Sequence, residues 1–348
     1  MLSLTLFILF FFAFGDVFVV ERETGNLAVI KRDKLVGEIR GLGNLNHATL
    51  KFFKGYGYLI SRDGYLSKID PKNHKLLKKV KVGRSTIGLN FCKNKILVAN
   101  YAPEDVVVLD TNLRILKRIK TGSRNVGIKG RKNLFVYALM DKDRVEVRNC
   151  DNYELLKSIR VGKMPFDAFL YRDIYVVGFF LERGIGVINL KNFSYRKVIF
   201  KEGNKEVVFK IPHFGLWGIW KDKAYIPAVG ERKVHIISLK DFSYLGSIKV
   251  KGLPVFVRVS PDGNYIAVNY SGDSEDYLTL IDLKRRRIIK TKSLGKRILH
   301  FRFTKDGRFI YLSSYFEGKV KKVSVPSLEV VREISVPTPS GVFIYGGE

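Results

Sequence analysis

Apolar and polar positions alternate in short runs from Val17 almost to the C-terminus, and a turn cuts each run. Val17-Phe18-Val19-Val20 leads into Glu23-Thr24-Gly25-Asn26, then Leu27-Ala28-Val29-Ile30, another turn, and Leu35-Val36-Gly37-Glu38-Ile39. Short runs of β-branched and aromatic residues between turn residues are strands. No stretch has the apolar spacing of a long amphipathic helix. The pattern predicts an all-β chain.

The runs repeat. Most units close on a short strand and a glycine: Lys81-Val82-Gly83, Lys120-Thr121-Gly122, Arg160-Val161-Gly162, Val250-Lys251-Gly252 and Ser293-Leu294-Gly295. These glycines stand 39, 40, 90 and 43 residues apart, and the 90 is two units. A period of about 40 with four strands per unit marks a β-propeller. The third strand recurs in recognisable form, as in Val106-Val107-Val108-Leu109-Asp110 and Leu278-Thr279-Leu280-Ile281-Asp282. Its terminal Asp or Asn suits a side chain that bonds its own turn. Pro261-Asp262-Gly263 and Lys305-Asp306-Gly307 turn between first and second strands.

Seven complete blades fall at about 45–83, 84–122, 123–162, 163–210, 211–252, 253–295 and 296–337. Residues 17–41 supply most of an eighth, and Gly341-Val342-Phe343-Ile344-Tyr345 reads as its missing strand. An eight-bladed β-propeller closed by N- and C-terminal strands in one blade leaves no large open edge. Seven blades is the alternative if the opening strands are miscounted.

Charge narrows the partners. Lys and Arg number 62 against 33 Asp and Glu, a net +29. Such a field attracts nucleic acid, anionic lipid or a polycarboxylate ligand. The cations are scattered through every repeat, as on a lysine-rich solvated surface, and no basic arm or base-reading motif occurs. No nucleic-acid partner is expected. The two cysteines, Cys92 and Cys150, form no C-x-x-C or C-x-x-C-H motif, so c-type haem attachment is excluded. They read as small apolar packing residues with no disulfide framework.

Leu2 to Phe14 is almost wholly apolar, and Ala13-Phe14-Gly15 places small residues before a cleavage after Gly15. The run is short for a membrane span and resembles a signal peptide. Residues 1–15 are therefore expected to be a signal peptide and 16–348 a single propeller domain, exported to the periplasm and not integral to a membrane.

In a propeller the first strand of each blade lines the axial channel. The loops leading to these strands carry His47, Arg84, Arg124, Asp167, His213, Phe256 and His300. Three histidines at similar repeat positions could meet at one mouth, and neutral imidazole is a good iron ligand. Arg62, Arg84, Arg124 and Lys210 could pair carboxylates. Tyr101, Phe214, Trp217 and Phe256 offer flat apolar walls. Asp141 and Asp167 are candidate proton donors or acceptors, and either could equally cap a turn. His74 and His235 read as structural or solvated. There is no Gly-rich phosphate loop, nucleophile elbow or HExxH.

At these residues the chain resembles the NirF family of haem d1 biosynthesis proteins. The resemblance lies in His47-Ala48-Thr49 through Ser61-Arg62-Asp63-Gly64-Tyr65, in Asn100-Tyr101-Ala102-Pro103, and in Phe135-Val136-Tyr137-Ala138-Leu139 with Asp141. It continues in Pro165-Phe166-Asp167-Ala168, Lys210-Ile211-Pro212-His213, Pro254-Val255-Phe256-Val257, Leu299-His300-Phe301 and Pro339-Ser340-Gly341. That family is akin to the eight-bladed d1 domain of cytochrome cd1 nitrite reductase. The resemblance implies an exported protein in a denitrification setting, acting late in making haem d1 and binding haem d1 or a d1-type iron tetrapyrrole precursor in its channel. It implies His47 as the axial ligand, His213 and His300 as ligand or channel residues, and Asp141 as an active-site residue. Other haem d1 maturation proteins or nitrite reductase would be its partners. Some members are lipoproteins, and no lipidation cysteine follows the apolar run here. Without C-x-x-C-H the chain has no electron relay of its own, which argues against nitrite reduction by this chain alone. Whether it is an enzyme or a carrier stays open at this point. The competing reading is a cofactor-free propeller scaffold for protein–protein interaction.

Overall fold

The computed structural model describes residues 15–209 and 218–346. Eight four-stranded antiparallel sheets follow one another around a ring. The eight-blade count is borne out. Blade 2 shows the construction: Thr49–Phe53, Tyr56–Ile60, Tyr65–Asp70 and Lys75–Lys81 pair in chain order. Lys54 and Gly55 between the first two strands both have positive φ, the mirror-image turn that suits twisted hairpins. The two middle strands are mostly buried, while Lys75–Lys81 mixes four lysines with partly exposed Leu76, Leu77 and Val80 at the ring's rim. First strands of successive blades pack on one another around the axis.

Blade 1 closes the ring. Its order is Lys34–Ile39, Asn26–Lys31, Val17–Glu21, then Pro339–Ile344 innermost. Val17 faces Ile344, Phe18 faces Phe343, and Val19 faces Val342. Asp33 adds a second tie to blade 8 by accepting from Tyr311 Oη and, at 2.7 Å, from Lys322 Nζ.

The first strands of blades 4, 5, 7 and 8 each carry a β-bulge, at Gly127-Ile128, Phe166-Asp167, Val255-Phe256 and Leu299-His300. A bulge leaves residues unpaired and re-aims their side chains. Side chains take over the freed amides: Phe256 N donates to Asn269 Oδ1 at 2.9 Å, and His300 N to Ser313 Oγ at 3.0 Å. Asp167, Phe256 and His300 thus share the second bulged position.

The reading of the cysteines is corrected. Cys92 and Cys150 form a disulfide joining blades 3 and 4, with Cα atoms 6.3 Å apart. Cys92 ends a first strand and Cys150 follows a third strand of the next blade, so blade packing brings them together although 58 residues separate them. His74 and His235 are structural: His74 Nε2 pairs with Asp16 Oδ2 at 2.8 Å, and fully buried His235 bonds Tyr244 Oη through Nδ1 at 2.8 Å. The apolar run 2–14 lies outside the described residues. No described helix is long and apolar enough to cross a membrane.

Candidate functional site

In a four-stranded blade the first strand starts, the second ends, and the fourth ends on the same face. That face gathers most of the candidate residues. His47 sits two residues before the strand Thr49–Phe53, with φ of 59°. A tight turn holds it: Ala48 N donates to Leu45 O at 3.1 Å, Asn46 N to Asn44 Oδ1 at 2.9 Å, and Arg22 to Asn46 Oδ1. The imidazole is left exposed. Partial desolvation, then the charges of Arg22 and Arg62, lower its pKa. It is therefore neutral at pH 7, with a ring lone pair for a metal.

Arg62 lies over the Tyr101 ring at 5.1 Å and Arg124 approaches the same ring at 5.9 Å. Both are weak cation–π geometries that align the guanidinium groups along the mouth. Arg124 in turn holds Asp141 bidentately, with Nε 3.1 Å from each carboxylate oxygen and Nη2 2.6 Å from Oδ1. Arg124 N also donates to Asp141 Oδ2 at 2.9 Å. These bonds hold the Asp141 pKa below the usual carboxylate range, against partial desolvation. Asp141 is thus a charged anchor for Arg124 and a poor proton donor. Burial pushes the Tyr101 phenol up, opposed by Arg62 and Arg124 and reinforced by Asp167 and Asp141. One electrostatic cluster therefore runs from His47 in blade 2 to Asp167 in blade 5.

Lys129, on the first strand Asn125–Arg131, is a member of this cluster that the sequence reading missed. Burial lowers its pKa and the charge of Asp167 raises it. A lysine inside an innermost strand whose neighbours Val126 and Ile128 are buried was the available signal.

His300 stands on the far side of the ring. Its Nδ1 accepts from Val342 N of the closing strand at 2.9 Å. A neutral ring accepts at one nitrogen, so Nε2 carries the proton, and Arg302 Nη1, itself only a donor, lies 2.9 Å from it without being accepted there. Phe256 packs edge-on at 5.6 Å and Phe343 tilts against it at 5.6 Å. Burial pushes its pKa down to about 4. With Nδ1 taken by Val342 N and the ring packed between Phe256 and Phe343, His300 is a wall residue in this structure, whereas His47 presents its ring. Arg84 is exposed and lines a cleft between blades 2 and 3. Lys210, His213, Phe214 and Trp217 lie outside the described residues.

Three comparisons bear on this arrangement. Residues 13–347 match the family described as the cytochrome D1 heme domain. Protein NirF of Stutzerimonas stutzeri is 29% identical over 358 aligned positions, covering 94% of this chain and 91% of that protein, and Protein NirF of Pseudomonas aeruginosa gives the same identity and coverage. Among solved structures, dihydro-heme d1 dehydrogenase NirN in complex with DHE superposes with a TM-score of 0.84 at 24% identity, over 96% of this chain and 76% of that one.

Proposed function

Since the chain belongs to the cytochrome D1 heme domain family, we propose that it is a haem d1 biosynthesis protein that binds a d1-type tetrapyrrole precursor at the channel mouth and serves its late maturation or transfer. The observation that carries this reading is His47, a neutral, exposed imidazole flanked by Arg22 and Arg62. A planar iron macrocycle with peripheral carboxylates needs that set: one axial nitrogen, guanidinium groups for the carboxylates, and aromatic walls. Arg62, Arg124 and Lys129 supply charge, and Tyr101, Phe256 and Phe343 supply flat surface. The iron would contribute the macrocycle's coordination chemistry. The chain's own residues bind and orient it.

Export to the periplasm belongs to the same proposal. The signal-like run supports it, and so does the Cys92–Cys150 disulfide, since disulfides persist in oxidising compartments. Other haem d1 maturation proteins or nitrite reductase are the proposed exchange partners.

The test is spectral. Purified protein mixed with a d1-type iron tetrapyrrole is expected to shift the Soret band, and His47→Ala is expected to alter that shifted spectrum. Identical spectra for both proteins would remove His47 as axial ligand. No spectral change with either would leave the cofactor-free scaffold as the better reading.

A further inference from the structure

Blades 2 and 3 part at their connection, opening a cleft of about 610 Å³. Lys81 ends the outer strand of blade 2, Arg84 precedes the innermost strand of blade 3, and Lys120 ends its outer strand. All three therefore lie on the face that carries His47. The floor is a built structure. Asp105, 4% exposed, accepts from Asn100 Nδ2 at 2.6 Å and from Arg118 Nη1 at 3.0 Å. Both donors also bind Val82 O, at 3.1 and 2.9 Å.

The charges in this cleft are unequally matched. Asp105 is neutralised by Arg118, and among the described residues Glu104 is the one other acid lining it. Among the described residues, Arg84 and Lys120 have no carboxylate partner. Exposed Pro103 gives the space between the cations an apolar side. The cations come from separate strand ends around an open cleft.

We propose that this cleft docks an acidic segment of a partner protein, with carboxylates on Arg84 and Lys120 and an apolar side chain on Pro103. Charge complementarity of this kind sets orientation and speeds encounter. Docked there, the partner would stand beside the channel mouth. That it exchanges the channel's occupant rests on the function proposed above, while the docking itself does not.

The experiment uses the full-length protein and a fluorescent peptide alternating glutamate and leucine, read by anisotropy at physiological salt. Arg84→Glu/Lys120→Glu is expected to weaken binding at least tenfold. Lys31→Glu/Lys34→Glu, the same charge change on the opposite face, is expected to alter it less than twofold. Equal weakening by both pairs would mean that the overall positive field attracts the peptide, and would overturn the proposal. So would unchanged binding by the cleft variant, or full displacement of the peptide by low-millimolar inorganic phosphate. The Soret titration on the same wild-type sample reports the channel separately, so the two readings fail independently.

Discussion

Arg124 grips Asp141 with its guanidinium and its own backbone amide, Nη2 lying 2.6 Å and N 2.9 Å from the carboxylate oxygens. The two residues the sequence offered separately, one for ligand carboxylates and one for proton transfer, are a single unit. Their side chains are 39% and 38% exposed, so the pair contributes at most about 1 kcal/mol to stability. Asp141→Asn should lower Tm by no more than about 3 °C. Its effect on tetrapyrrole affinity should be non-additive with that of Arg124→Leu, with a coupling of about 0.5–1 kcal/mol in a double-mutant cycle. Energies that add within about 0.3 kcal/mol would show that Asp141 does not act through Arg124.

The Cys92–Cys150 bridge closes a loop spanning 58 residues of sequence between blades 3 and 4. Chain-entropy reasoning for that length gives a stabilisation of about 4 kcal/mol. Cys92→Ala/Cys150→Ala should lose a large part of it in denaturant unfolding, and dithiothreitol should lower the wild-type midpoint while leaving the double variant unmoved. A midpoint insensitive to reductant would mean that the thiols are not bonded in the isolated protein.

The fold was legible because a propeller writes its period into the chain. Glycines such as Gly83 and Gly122, and strand ends such as Asp110 and Asp282, recur wherever the backbone repeats. Closure was legible too, since Val342-Phe343-Ile344 had no other edge to fill. The site was legible only in part. A first-strand position tells which residues approach the axis, and this found His47, Asp167 and His300. It does not tell which partner each will meet. The Val342 amide on His300, the Arg124 grip on Asp141 and the Cys92–Cys150 bond are contacts between neighbouring strands or blades, fixed by packing and register. Lys129 was passed over because, among 62 basic residues, its one signal was its place beside Val126 and Ile128 on an innermost strand.

Deleting residues 339–348 should open the ring. The lost strand buries Val342, Phe343 and Ile344, which are 0%, 8% and 7% exposed. At about 1.5–3 kcal/mol for each buried apolar side chain, the loss is of order 5 kcal/mol before the ladder to Val17–Glu21 is counted. The truncated chain should lose its cooperative transition in a thermal melt followed by circular dichroism. A melt within a few degrees of wild type would show that the ring does not depend on this strand.

His300 gives the sharpest pH prediction. Its folded pKa of about 4 lies below the ordinary value of 6.5, so between these pH values the unfolded chain binds a proton that the folded one refuses. Stability should therefore fall as pH drops from about 6.5 to about 4 and lose nothing further from this group below that. The loss is at most about 3 kcal/mol, reduced by whatever water the channel admits. His47 and His235 are depressed as well and add slope of the same sign. His300→Gln removes the titration, so its stability in urea should change less across this window than that of wild type. It should also be less stable at pH 7, where the bond from Val342 N is disturbed. Parallel pH profiles for the two proteins would mean that His300 is solvated, and the wall contact with Phe256 and Phe343 would have to be abandoned with it.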